Sequence, residues 1–222
     1  MDLPTLALSE TKPFRFITMA RGPMTPTEAG SRPRVEGERE REILEATLTV
    51  LAETGYDRLT MDAVAAEAKA SKATLYRRWS SKPELVVQAI CSHKQHPAPP
   101  DTGTLRGDLV AAHCGMGGLG DERATAVQAA VVTAMARDPE FAAIYRRDFI
   151  APKLAGSRTV FERAQQRGEI PADLDLEILA SALPGIVLHR IFLLGDEATP
   201  DLIERVIDEV ILPAALHGPT RH

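Results

Sequence analysis

The chain has 222 residues, enough for one large domain or for a small and a medium one, with 44% hydrophobic and 26% charged residues. That composition excludes a fully disordered or fibrous chain, no apolar run approaches the roughly 18–20 residues of a membrane span, and residues 1–31 lack the order of a signal peptide. The net charge of −5 excludes a nucleic-acid partner only if it is spread evenly, and it is not.

Eleven basic and ten acidic side chains fall in 32–94, against twelve and eighteen in 95–222. Within 69–94 the bases Lys69, Lys72, Arg77, Arg78, Lys82 and Lys94 face Glu84 alone. A local positive field of this kind is where a phosphate backbone is met, with the acidic remainder held away from it. Cys91 and Cys114 make no disulfide framework and read as reduced thiols of a cytoplasmic protein.

Low aromatic content with abundant Ala and Leu favours helix throughout, and no strand-like alternation or internal repeat interrupts it. Residues 1–37, rich in Pro, Thr, Gly and Ser, read as a disordered tail; a start at Met19 or Met24 is the other reading of that stretch. From Glu38 a helical stripe of Ile43, Thr47, Val50 and Thr54 runs to Gly55, a left-handed cap. A short helix from Met61 to Ala68, capped by Thr60, precedes a second from Lys72 to Trp79, capped by Ser71. Ser81-Lys82-Pro83-Glu84 has capping-box spacing and opens a fourth helix past Ile90. Pro97, Pro99 and Pro100 then mark a boundary at about 95–104.

The second part, 105–217, also reads as helix. A weak segment runs from Leu105 to Met116 and a stronger one from Asp121 to Arg137. Asp138-Pro139-Glu140 starts the next, kinked near Pro152 and ended by Gly168. Segment 175–194 is apolar nearly all round, with Pro184 expected to bend it, and Thr199-Pro200-Asp201 opens the last helix to about Leu216. The expected fold class is all-α, a three-helix N-terminal domain over 38–95 followed by a helical bundle over 105–217.

Two short helices joined by a tight turn, the second basic and amphipathic, describe a helix-turn-helix at 60–79. Val64, Ala65, Ala68, Ala70, Leu75 and Trp79 supply its inner face; Lys72, Ala73, Thr74, Tyr76, Arg77 and Arg78 remain outside. Small Ala73 permits close approach to base edges, and Ala or Thr there can touch a thymine methyl.

The run from Thr60 to Trp79, with its Thr74-Leu75-Tyr76 core, followed by Ser80-Ser81-Lys82 and preceded by Ile43 to Tyr56, resembles the TetR family of transcriptional regulators over about 38–94. Lys69 departs from it, since the family often has Gly in the turn; a non-Gly residue costs about 1 kcal/mol if that position needs positive φ. The resemblance implies that Thr60 and the helix start it caps meet a phosphate, that Lys72, Ala73 and Thr74 sit at the major groove, that Tyr76 bonds a phosphate through its hydroxyl, and that Lys82 binds backbone from the next helix. Lys69, Ser71, Arg77 and Arg78 complete the expected DNA-binding set. The bland readings are a simple cap for Thr60, a solvated face for the cations, and core for Tyr76 and Trp79.

The resemblance also makes 105–217 a ligand-sensing and dimerising domain. Candidate ligand contacts are His113, Met116, Met135, Tyr145, Phe149, Phe161, His189 and Phe192, any of which can equally be core. A dimer interface is expected on the last two helices through Ile186, Ile191, Val206, Val210 and Pro213. Cys91-x-His93-x-x-His96 lacks a fourth metal ligand, and adjacent His113 and Cys114 point about 100° apart on a helix, so no metal, cofactor or catalytic group is expected. The expected partners are double-stranded operator DNA, a second copy of the chain and an unknown small-molecule effector, with no membrane. The competing reading is a small helical enzyme or ligand-binding protein with an incidental helix-turn-helix.

Overall fold

The structure is a computed structural model that describes residues 32–93, 98–114, 122–197 and 199–217. Its described residues are all-α, as the composition implies. Helices α1 (Arg32–Arg58), α2 (Met61–Glu67), α3 (Lys72–Arg78) and α4 (Lys82–His93) are followed by α5 (Leu105–Cys114) and α6 (Glu122–Arg137). Three longer helices complete the chain: α7 (139–166), α8 (Leu176–Leu194) and α9 (200–217). Met116, Lys94, Pro97 and the tail up to residue 31 lie outside the described residues; Arg32 already lies in α1, so the helix starts six residues before Glu38.

Local signals set most of the ends. Thr60, Ser71, Asp138 and Thr199 each accept a backbone N–H from three residues on, and each is the cap the sequence indicates. Gly55 takes φ 74° and ψ 166°, but helical bonding resumes after it to Arg58, so it kinks α1 rather than ending it. The expected kink near Pro152 takes the form of a wide π-turn, Arg146–Ile150, inside α7. A matching turn, Ile207–Ile211, precedes Pro213 in α9. A proline lacks the N–H and crowds the carbonyl four residues back, and widening the preceding turn by one residue relieves both. α8 runs through Pro184 and ends in a third π-turn closed by left-handed Gly195.

The apolar side chains form two cores, and these divide the chain differently from its connectivity. The first unites α1 to α4 with Ala130, Val131 and Ala134 of α6 and Phe141, Tyr145 and Phe149 of α7. The second joins Leu105 and Leu109 of α5, Val160, Phe161 and Ala164 of α7, and the inner faces of α8 and α9. The helices that carry the helix-turn-helix, α1 and α4, are therefore packed directly on half of the bundle. α8 is 19 residues long with mean hydropathy 1.6, long and apolar enough to cross a membrane by length and composition, which corrects the sequence reading that no run approaches this. It packs here against α7 and α9.

A ring of polar contacts surrounds the junction between the two halves. The Tyr56 hydroxyl donates to Asp138 Oδ2 at 2.6 Å, Arg137 pairs with Asp57 at 2.5 Å, and the Ser81 hydroxyl donates to Glu140 at 3.0 Å. Burial, then the Asp138 carboxylate, push the Tyr56 phenol well above its ordinary value. The same hydrogen bond, helped by the Phe141 N–H, holds Asp138 below the usual carboxylate range. A depressed folded pKa contributes stability above the unfolded value of about 3.9, and that contribution is lost as pH falls through the folded one. Tyr56→Phe is expected to melt below the wild type at neutral pH, with the gap closing below about pH 4 in thermal melts followed by circular dichroism; a gap independent of pH would show that the bond to ionised Asp138 is not its source.

Candidate nucleic-acid interface

The helix-turn-helix is built as its residue pattern requires. Val64, Ala65, Leu75 and Trp79 are buried, while Ser71, Lys72, Ala73, Tyr76, Arg77 and Arg78 are exposed. Tyr76 is 56% exposed, so it is a surface residue with a free edge, whereas Trp79 is 1% exposed and belongs to the core. Thr74 is half-buried, its hydroxyl 2.9 Å from that of Ser71. Ser71 caps α3 and Thr60 caps α2, the latter through a 3.1 Å bond from the Ala63 N–H. Both caps and the first turn of α3 lie at the exposed end of the motif, where backbone N–H groups favour an anion.

Lys69 occupies the turn with φ 49°, the one positive-φ non-glycine position among the described residues. The Arg39 guanidinium reaches over from α1 and donates to its carbonyl at 2.7 Å, which helps hold the turn. Lys69→Gly is expected to raise stability by about 1 kcal/mol by removing the left-handed penalty. Chemical denaturation checks this; a destabilised variant would show that the turn draws more from the lysine side chain than from glycine's freedom.

The cations of the motif differ in what they already hold. Lys72 pairs with Asp62 of α2 at 2.6 Å, and that bond raises its ammonium above the ordinary value. Arg78 donates to both oxygens of Glu40 at 3.1 Å. Lys82 donates to the Tyr56 carbonyl at 3.1 Å, its ammonium 4.1 Å from the centroid of the Tyr56 ring. An ammonium has three donors, so this contact leaves Lys82 able to bind a phosphate as well. Arg77 is exposed at the end of α3.

The candidate ligand residues do not form one group. Tyr145 and Phe149 are buried in the first core and Met135 packs against it. Phe161 is 1% exposed in the second core, His189 is exposed on α8 and Phe192 is half-buried on the π-turn that ends it. Phe141, Tyr145 and Phe149 instead form an aromatic ladder with centroids 5.6 and 4.8 Å apart, continued at its other end by Tyr56 at 4.8 Å from Phe141. At the far end Lys153 lies 4.6 Å from the Phe149 centroid.

His113, half-buried on α5, bonds the Leu109 carbonyl through Nδ1 at 3.0 Å; burial, with Lys153 as a smaller cause, lowers its pKa. Burial raises the Cys91 thiol and the Tyr145 phenol, the latter also bonded to Gln128. Gln128 and Lys153 were not among the sequence candidates, Cys91 was weighed only as a thiol and a metal ligand, and no periodic signal marks any of them.

The five expected interface residues also separate. Val206 is 6% exposed in the single chain and packs in the second core, in a stripe with Leu202, Ile203 and Ile207 turned toward α5 and α8. Ile186 and Ile191 are half-buried, whereas Val210 and Pro213 are exposed. The outer surface of α8 and α9 shows Ile178 at 66%, Leu193 at 73%, Leu194 at 57%, Val210 at 44% and Leu216 at 50%.

Comparison with known proteins agrees with this geometry. Residues 43–89 match the family described as bacterial regulatory proteins, tetR family, and residues 99–210 match the Tetracyclin repressor-like C-terminal domain. An uncharacterised HTH-type transcriptional regulator of Mycobacterium tuberculosis is 38% identical over 184 residues, covering 79% of this chain and 87% of that protein. A DNA-binding transcriptional repressor, TetR, of Mycobacteroides abscessus is 35% identical over 176 residues, covering 77% and 90%. Among solved structures, the TetR family transcription regulator SCO0332 superposes with a TM-score of 0.60 at 26% identity, over 78% of this chain and 97% of that one. Salmonella enterica GusR, at 21% identity, shares the fold with a TM-score of 0.62 over 82% and 96%. With a helix-turn-helix whose reading face is open and matches that span both halves of the described fold, the chain belongs to the TetR family and is a DNA-binding transcription regulator rather than an enzyme.

Proposed function

We propose that this regulator is a repressor that binds a palindromic operator as a homodimer in the cytoplasm and is released from it by a small-molecule effector. The observation that carries the reading is the division of α3: Leu75 and Trp79 are locked into the core while Ala73, Tyr76 and Arg77 stand free on the outer side. In the complex, Ala73 and Thr74 approach base edges, with Lys72 exchanging Asp62 for DNA. Thr60, Ser71 and Tyr76 bond phosphates, and Lys69, Arg77 and Lys82 supply charge. A two-fold dimer places two such helices about 34–36 Å apart, one turn of DNA.

The effector site we assign to the end of the aromatic ladder, where Tyr145 and Phe149 meet the polar groups of Cys91, Gln128 and Lys153, with His113 near Lys153. The ladder runs from there to Tyr56 beside Lys82, so one packed column links sensing to the DNA-binding helices. A ligand that favours a different spacing of the two α3 helices needs only a few kcal/mol of differential affinity to empty the operator.

Selection of bound sequences from a random duplex library tests the reading. The expected product is an inverted repeat whose affinity falls steeply with salt, with Lys82→Ala flattening the slope by about one unit per half-site. Recovery of no enriched sequence, or of one unpaired half-site, would overturn it.

A further inference from the structure

The C-terminal end of the recognition helix is held by a chain of hydrogen bonds. The buried Trp79 indole N–H donates to Gln88 Oε1 at 2.6 Å, and the Gln88 amide donates to Glu40 Oε1 at 2.9 Å. Glu40 also receives Arg78 on both oxygens. One turn before Gln88, Glu84 accepts the Ser80 N–H and hydroxyl, each at 2.7 Å. Residues four apart share a helix face, so Glu84 and Gln88 present one polar stripe of α4 to the exit of α3. The rest of α4 around them is core: Leu85, Val86, Val87, Ala89 and Ile90 are buried. α4 in turn packs on α1 and on α7 with its π-turn. The exit of α3 is thus gripped by α4 through Trp79 and Ser80 and by α1 through Arg78.

We propose that Gln88 and Glu40 are positioning residues that set the angle of the recognition helix, with Arg78 serving as a strut on Glu40 rather than as a phosphate contact. Both Gln88 groups are used, one as acceptor and one as donor, so the amide senses the placement of α1, α3 and α4 together. A displacement of α4 toward or away from α1 breaks one of its two bonds or drags Trp79 with it. Leaving a buried indole N–H without its acceptor is costly, which makes the arrangement two-state rather than elastic.

The proposal rests on α3 being the DNA reader, and the experiment separates the two. Gln88→Glu places a second carboxylate against Glu40 and is expected to lower operator affinity roughly tenfold or more in the full chain. Adding Glu40→Gln exchanges donor and acceptor, restores the chain of bonds and returns affinity to within roughly threefold of wild type. Arg78→Gln is expected to weaken binding at an unchanged salt slope, while Arg77→Gln flattens the slope by about one unit per half-site. Trp79 is the only tryptophan, so its single indole N–H resonance reports the relay without DNA. Repulsion from Glu40 draws the new carboxylate off the indole, which it could otherwise still accept, so the shift and exchange protection of that resonance should be lost in Gln88→Glu and regained in the exchanged pair. If wild type binds no duplex, the functional reading fails and the indole resonance alone decides the relay. An exchanged pair no better than Gln88→Glu in affinity and indole protection, or a single variant indistinguishable from wild type, overturns the positioning role.

Discussion

Ala73→Glu should abolish operator binding while leaving the protein folded. Ala73 is exposed in the first turn of α3, directly after Lys72 and beside the Ser71 cap. A glutamate there adds a carboxylate to the positive end of a helix, which the helix dipole favours, so the fold loses nothing. In the proposed complex the same carboxylate would face base edges and phosphates, where the small, uncharged methyl of Ala73 allows close approach. Specific binding exceeds non-specific binding by about 10³-fold or more, and the variant is expected to lose all of that margin. Fluorescence anisotropy on the selected operator, with circular dichroism for fold, makes the measurement. Normal affinity in a folded Ala73→Glu protein would remove α3 as the reading element.

The starts of four helices and the buried side of the helix-turn-helix were legible because they depend on neighbours within four residues. Thr60, Ser71, Asp138 and Thr199 cap where their spacing indicates, and Lys69 takes the positive φ that its place in the turn implies. Contacts across the chain were not legible. Tyr56 meets Asp138 across 82 positions, and Gln88 meets Glu40 across 48; nothing in either local pattern announces the partner. The proline-rich break after α4 suggested separate cores, yet Phe141, Tyr145 and Phe149 fill the core of the DNA-binding half. Aromatic residues at spacing four mark a helix face in any sequence, but which core receives that face is a tertiary fact. The same limit holds on α9: which of its apolar residues pack inside the chain, Ile207, Ile211 and Ala215 among them, is set by α5 and α8 and not by local pattern.

Val210→Asp should turn the protein into a folded monomer. On α8 the exposed positions Ile178, Ser181, Gly185, His189 and Leu193 recur at helical spacing and form one stripe, with the small Ser181 and Gly185 at its centre letting a second helix approach. On α9 the exposed Val210, Pro213 and Leu216 continue that surface. Between the helices lies a groove lined by Ile186, Leu202, Val206 and Val210, with Arg190, Arg205 and Glu209 also contributing to its lining. An apolar groove with charged neighbours suits a two-fold partner, and only 22% of the most apolar window of α8 is buried within one chain. Two-fold symmetry doubles the effect of any substitution there, so one change sets two carboxylates into the same apolar contact. Val210 is 44% exposed in the single chain, so aspartate is tolerated there, whereas Ile191→Asp would disturb the second core against which Ile191 packs. Loss of the dimer separates the two half-sites and removes an effective concentration worth about 10²–10⁴ in operator affinity. Sedimentation equilibrium should show one chain per particle with unchanged helix content, and Ile178→Asp should repeat the result from the other helix. Dimers of undiminished affinity in both variants would place the interface elsewhere on the molecule.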